Sequence, residues 1–188
     1  TAGVKFVQMA GERGLFDGPV LLDAHSYNFN VGKNNTVRNG KALSVMITSD
    51  GLQLQNNSVA GRCFVYVGDN GTVFQGENMS YKDITIGTTC GAIFPQGHIT
   101  NASMENIYIF RADEGIINNY WNGHETKPVE RKVSLNITGL YADDCVSVPW
   151  FFKGRNMGRA EKIINITNAT AGSTRGADSF YANSANKT

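Results

Sequence analysis

Val65-Tyr66-Val67-Gly68-Asp69-Asn70-Gly71, followed by Val73-Phe74, is the stretch whose reading decides the fold. A β-branched strand, a corner of small polar residues and a second apolar strand follow one another within ten residues. The pattern recurs. Val45-Met46-Ile47-Thr48-Ser49-Asp50-Gly51, Ile84-Thr85-Ile86-Gly87-Thr88-Thr89-Cys90-Gly91, Ile107-Tyr108-Ile109-Phe110-Arg111-Ala112-Asp113-Glu114-Gly115, Ile137-Thr138-Gly139-Leu140-Tyr141-Ala142-Asp143-Asp144-Cys145 and Ile164-Asn165-Ile166-Thr167-Asn168-Ala169 line up with it. Most re-enter a short apolar strand, at Leu52 to Leu54, Ile93-Phe94, Ile116-Ile117 or Val146 to Val148.

The starts fall 20, 19, 23, 30 and 27 residues apart. Units of two short strands around a small-residue corner suit the coils of a parallel β-solenoid. The expected fold is therefore all-β, a parallel β-helix (β-solenoid), with the Val/Ile triplets stacked as a dry core. An antiparallel β-sandwich is the alternative, since its strands also recur with turns every 8–12 residues or so. In the solenoid reading residues 1–44 form an entry segment or cap, 45–182 the coils and 183–188 a polar tail. A loop near 120–132, carrying Trp121, His124 and Pro128, bulges from the rod. Helical periodicity is poor, leaving short helices only near Ala10 to Leu15 and Asn156 to Lys162.

Composition narrows the function classes. The 188 residues suffice for one domain with its own core. Lys+Arg 17 against Asp+Glu 16 supplies no global attraction to nucleic acid. No stretch reaches the roughly 18 apolar residues of a membrane span, so no membrane insertion is expected. Thr1 and the small polar C-terminus read as a processed product or a piece of a longer chain. Cys63, Cys90 and Cys145 are too dispersed for a disulfide framework or a zinc ligand set and are expected as free, mostly buried thiols. His25, His98 and His124 share no ligand spacing, so neither metal nor cofactor is expected. Nine Asn-x-Ser/Thr sequons occur, a pattern that Asn-rich turns also create by chance.

The repeat gathers carboxylates at one corner. In the alignment above Asp113 falls over Asp143 and Glu114 over Asp144. Coils stacked about 4.8 Å apart would hold these groups within the roughly 5–9 Å that separates the acid and the nucleophile or base of glycoside hydrolysis. Asp113, Glu114, Asp143 and Asp144 are thus the expected catalytic residues. The competing explanation is that Asp and Asn favour such corners for local hydrogen bonding. In this alignment Asp50, Asp69 and Asn70 occupy comparable corners without acidic partners above and below. Tyr108, Tyr120, Trp121, Tyr141, Trp150, Phe151 and Phe152 crowd the same third of the chain. A sugar ring has an apolar face and a hydroxyl rim, so Trp121 and Trp150, with Arg111 and Arg155, are the expected substrate-binding residues. Phe110, Phe151 and Phe152 are expected in the core.

In the style of its repeat, residues 45 to 170 resemble the pectin-lyase-like right-handed β-helix proteins, and most of all bacteriophage tailspikes and tail fibres. Ala142-Asp143-Asp144-Cys145-Val146 is similar to the Gly-Asp-Asp-Cys segment of polygalacturonase-type glycosidases. Ala112-Asp113-Glu114-Gly115-Ile116 is similar to their Asn-Thr-Asp-Gly segment, interrupted by Glu114; their Gly-His-Gly and Arg-Ile-Lys elements are absent. The resemblance implies a homotrimer on a virion surface or outside cells that binds a surface polysaccharide and cleaves it. A structural or adhesive module without enzymatic activity is the second expectation. A secreted or viral glycoprotein domain, suggested by the sequons, is the third.

Overall fold

In the computed structural model, residues 7–8, 11–116, 131–145, 152–153, 160–172 and 182–183 are described. They form strands β1 (Val7–Gln8), β2 (Leu15–Asp17), β3 (Val20–Leu22), β4 (Tyr27–Val31), β5 (Thr36–Arg38), β6 (Lys41–Leu43), β7 (Asp50–Leu54) and β8 (Val59–Val67). Then come β9 (Thr72–Glu77), β10 (Ser80–Thr88), β11 (Gly91–Arg111), β12 (Glu114–Ile116), β13 (Arg131–Ala142), β14 (Phe152–Lys153), β15 (Ala160–Ala171) and β16 (Ala182–Asn183). Every strand pairing among the described residues is parallel, which excludes the sandwich. The chain is a parallel β-solenoid of about four turns, with no helix among the described residues. The helix expected near Ala10 to Leu15 is absent from the described part of that stretch, where a bend leads into β2.

Each turn has three flat faces. On face one, β2, β5 and the first halves of β8 and β10 stack in order, and β11, β13 and β15 continue the column. Face two stacks β3, β6 and the second halves of the same long strands. Face three stacks β1, β4, β7, β9 and the start of β11. Coiling already includes residues ahead of Val45, through β2 to β6.

Two of the three corners are made by a single residue with positive φ. Between faces three and one stand Asn34, Asn57, Asn78 and Asn101, at φ 53–60°. Between faces one and two stand Asn39, Arg62, Asp83, Asn106, Gly139 and Asn168, at φ 52–70°. This left-handed conformation disfavours most side chains, and asparagine, aspartate and glycine tolerate it best. The asparagines also bond to one another. Asn57 Nδ2 donates to Asn34 Oδ1 (3.0 Å), Asn78 Nδ2 to Asn57 Oδ1 (2.9 Å) and Asn101 Nδ2 to Asn78 Oδ1 (2.7 Å). At the second corner Arg62 Nε donates to Asn39 Oδ1 and Asn106 Nδ2 to Asp83 Oδ1.

Inside, columns of buried side chains run along the axis: Val37, Ala60, Tyr81, Met104 and Ile137 under face one, and Ala42, Val65, Ile86, Ile109 and Ala142 under face two. The Tyr81 hydroxyl crosses the core to donate to Leu52 O (2.7 Å) or Val73 O (2.8 Å), tying face one to face three. Cys63 and Cys145 are buried free thiols and Cys90 is half-buried.

The triplet alignment is partly corrected. Ile84 does lie beneath Ile107, but Val65 pairs with Ile86 and Ala42, and Ile107 with Leu140. Val45-Met46-Ile47 is no core strand; it forms an exposed corner tip, because Ala42 fills the inward place beneath Val65. The inserted loop lies outside the described residues except that Arg131 and Lys132 already belong to β13.

Gly51 tests how tightly the turns stack. A Cβ there would collide with Gly71 O and with Val65 Cγ1, whereas one on Gly61 would meet only Lys82 O, at 3.8 Å. Gly51→Ala is expected to cost about 2–4 kcal/mol in denaturant unfolding and Gly61→Ala less than about 1 kcal/mol.

Candidate functional site

The third corner, between faces two and three, is longer and carries the acids. The column pairing Leu52, Thr72, Ile93 and Ile116 places Asp50, Asn70, Gly91 and Glu114 two residues earlier on successive turns. Asp69, Cys90 and Asp113 stand beside them; the N–H groups of Asp113 and Glu114 both donate to Cys90 O (3.1 and 3.0 Å).

The expected catalytic pairs do not stack as aligned. Ile109 pairs with Ala142 and Ala112 bridges to Cys145, so Asp143 is level with Phe110 and Asp144 with Arg111. The three-residue shift arises because Gly139, not a residue before Ile137, is the positive-φ corner equivalent to Asn106. Asp113, Glu114, Asp143 and Asp144 still belong to one corner of the rod, but to different columns. Asp143 Oδ1 accepts the N–H of Asp144 (2.9 Å), and Asp143 Oδ1 and the Tyr141 hydroxyl converge over Gly172 of the next turn. Arg111 is exposed at the end of β11. Trp121, Trp150 and Arg155 lie outside the described residues.

Alignment by triplets missed the pair that the structure brings together. Asp50 and Asp69, on successive turns, are joined by one side chain: Asn70 Nδ2 donates to Asp50 Oδ1 (2.9 Å) and to Asp69 Oδ1 (3.0 Å). The Asn70 backbone N–H adds a further bond to Asp50 Oδ1 (3.0 Å). Asp50 therefore has an acidic partner above it after all. Burial, and then the charge of Asp69, push the Asp50 carboxyl up to about 7, against the opposing effect of the Asn70 bonds. Burial also raises Asp69, while bonds from Cys90 and Asn70 oppose this. Burial and the Asp69 charge push the Cys90 thiol up to about 12. Burial thus favours the neutral form of both carboxyls, and the charge of Asp69 favours it further at Asp50. The signal in the sequence was the twenty-residue step from Asp50 to Asn70, visible once β7 and β9 are taken as the repeating strands.

Face two carries the second element. Phe64, Tyr66, Tyr108, Phe110 and Tyr141 form a continuous strip outside the rod. Ring centroids are 5.8 Å apart for Phe64–Phe110, 6.0 Å for Tyr66–Phe110, 6.4 Å for Tyr108–Phe110 and 5.3 Å for Tyr108–Tyr141. Phe110, expected in the core, faces outward: Ile107 and Ile109 take the inward positions, so Tyr108 and Phe110 alternate to the other side. The register shifts there, Ile86 pairing with Ile109 and Gly87 with Arg111, and the Phe110 ring lies over Gly87. Tyr108 and Tyr141 are each 40% exposed. Face one mixes Thr, Ser and Asn with the ion pairs Arg38–Asp17 and Lys82–Glu105, both 2.8 Å, and with the exposed apolar side chains of Leu15, Val59 and Ile163, but shows no aromatic ring pairs among the described residues. Among the described residues no group of three or more His, Cys, Asp or Glu is arranged to hold a metal ion.

The Asp50 carboxyl gives a signed pH dependence. It ionises near 3.8 in the unfolded chain and near 7 in the folded one, so the native state binds more protons between those values. Stability then falls as pH rises through that window and levels off above about 7. Asp50→Asn removes the loss: in urea titrations the variant is expected to match the parent near pH 3 and to exceed it by about 1–3 kcal/mol near pH 8.

Comparison with known proteins supplies no relative: no family model matches the chain, and no curated protein or solved structure is significantly similar to it.

Proposed function

We propose that the chain is a polysaccharide-binding β-solenoid, with the aromatic strip of face two as the platform and the adjoining acidic corner as acceptor for sugar hydroxyls. The observation that carries this reading is the strip itself, five rings in contact on the outside of the rod. Aromatic faces exposed beside polar groups match the C–H face and hydroxyl rim of a sugar. A continuous strip along the rod suits a chain-like ligand better than a small molecule enclosed in a pocket. The more specific reading, a tailspike-like homotrimer recognising bacterial surface polysaccharide from a virion surface, rests on the style of the repeat.

Hydrolysis is a second reading, favoured by the carboxyls of Asp50 and Asp69 being held together by one Asn70 amide, with Asp50 raised to about 7. Cleavage of a glycosidic bond needs one carboxylic acid to protonate the leaving oxygen and one carboxylate to attack carbon or activate water. Asp50 would serve as the acid and Asp69 as the carboxylate. Asp113, Glu114, Asp143 and Asp144 are the further carboxyls that this reading offers along the same corner.

Binding to a panel of bacterial polysaccharide fragments tests the proposal. Tyr108→Ala and Phe110→Ala are each expected to weaken binding about fivefold to tenfold, while Lys82→Ala on face one leaves it unchanged. Equal affinity in all three would remove the strip from the function. Reducing-end release is expected to fall about a hundredfold or more in Asp50→Asn and Asp69→Asn. Undiminished release in both would sink the acid–base assignment.

A further inference from the structure

Between β6 and β7 the chain makes a tip, Val45-Met46-Ile47, whose side chains are 74%, 40% and 82% exposed. Little apolar burial holds it in place. Its anchorage is polar: Thr48 Oγ1 donates to His25 O on the turn before (2.8 Å), and further bonds run to the turn after. Ser49 closes the tip on itself, donating through N–H (3.0 Å) and Oγ (2.8 Å) to Met46 O. Gly68 N–H then donates to Ser49 Oγ (3.3 Å) and Asp69 N–H to Ser49 O (3.1 Å). The Met46 carbonyl lies on Gly68, in the place that a Cβ would occupy. The next residue on each side of this contact is part of the carboxyl bridge, Asp50 after Ser49 and Asn70 after Asp69.

The bridge is unusual in what it joins. The two N–H groups of one amide each satisfy a carboxylate, and those carboxylates belong to adjacent turns. With one proton between the carboxyls, the arrangement is a neutral acid and a single anion held by a common donor. Without that proton two anions face each other across the Asn70 amide in a mostly buried corner, where their repulsion is poorly screened. Asp69 is the charge that acts on Asp50 among the described residues. The other titratable groups around the corner are Tyr27 on β4 below, His25, whose carbonyl accepts from Thr48 Oγ1, and Cys90 and Glu114 on the turns above.

We propose that the Asp50–Asn70–Asp69 bridge is a proton-operated latch on the Val45–Ile47 tip, closed while the two carboxyls carry one proton and loosened when both are ionised. The weakest links are the Gly68 and Asp69 N–H bonds to Ser49, because the repulsion pushes apart the two turns that they join. The tip then moves at the junction between the aromatic strip and the acidic corner. This device is independent of the glycan reading, and its test needs no ligand.

Amide hydrogen exchange near pH 6 and near pH 8, corrected for intrinsic exchange rates, reads the latch directly. At the higher pH the amides of Gly68, Asp69 and Asn70 are expected to lose protection about tenfold more than those of Ile84 and Ile107 in the core, which follow only the fall in global stability. Asp50→Asn keeps an oxygen for Asn70 and loses the titration, so its corner amides are expected to be equally protected at both pH values. Asp69→Asn removes the same repulsion from the other side and is expected to flatten the response as well, with the circular dichroism spectrum confirming the fold of each variant. PH-independent protection in the parent would overturn the proposal. So would a full pH response in a folded Asp50→Asn or Asp69→Asn protein.

Discussion

The rod depends on a sharp bend repeated at the same two corners of successive turns. A parallel solenoid can stack only if each coil changes direction at the same height and angle as the one below it. Here one residue in the left-handed conformation makes the bend at each of these corners. Asn34, Asn57, Asn78 and Asn101 do so at one corner and satisfy one another's side-chain amides in the process. The second corner uses a more varied set, Asn39, Arg62, Asp83, Asn106, Gly139 and Asn168. Arginine is there despite its poor tolerance for that geometry, and its Nε bond to Asn39 Oδ1 helps to offset the strain.

With two corners pinned, variation is left to the third. It accommodates the tip of Val45 to Ile47, the carboxyl bridge, the two N–H groups that converge on Cys90 O, and the self-bonded turn at Asp143-Asp144. The solenoid also sets the electrostatics there. Stacking brings the same corner of successive turns to within about 5 Å, so acids on neighbouring turns cannot avoid one another. Asn70 mediates between two of them, and burial, followed by the Asp69 charge, raises the Asp50 carboxyl. The acid–base reading and the latch both grow out of that conflict.

The three outer faces divide the surface. Face one carries ion pairs among scattered apolar side chains such as Leu15 and Val59. Face two carries rings in mutual contact, with Gly87 leaving the space that Phe110 occupies. On face three Val73 and Phe94 are buried although they point away from the main core, forming a small second cluster with Cys90. Apolar side chains exposed beside an acidic corner are the asymmetry from which the binding proposal is drawn.

Parallel coiling, the corner position of the acids and the free cysteines were legible in the residues themselves, because β-branched triplets and Asn/Asp/Gly corners are local preferences that repeat along the chain. Register was not. Matching apolar triplets placed Ile137 with Ile107 and Asp143 with Asp113, whereas Gly139 stands at the corner of Asn106 and moves that turn by three residues. Triplets are interchangeable, so they tolerate such a slip; positive-φ corners are not, and they were the better ruler. The stacking of Phe110 on Phe64 and Tyr66, and the meeting of Asp50 with Asp69 through Asn70, required the turns to be closed first. Side chains about twenty or more residues apart become neighbours only when every intervening bend has been made, and no local pattern encodes that sum.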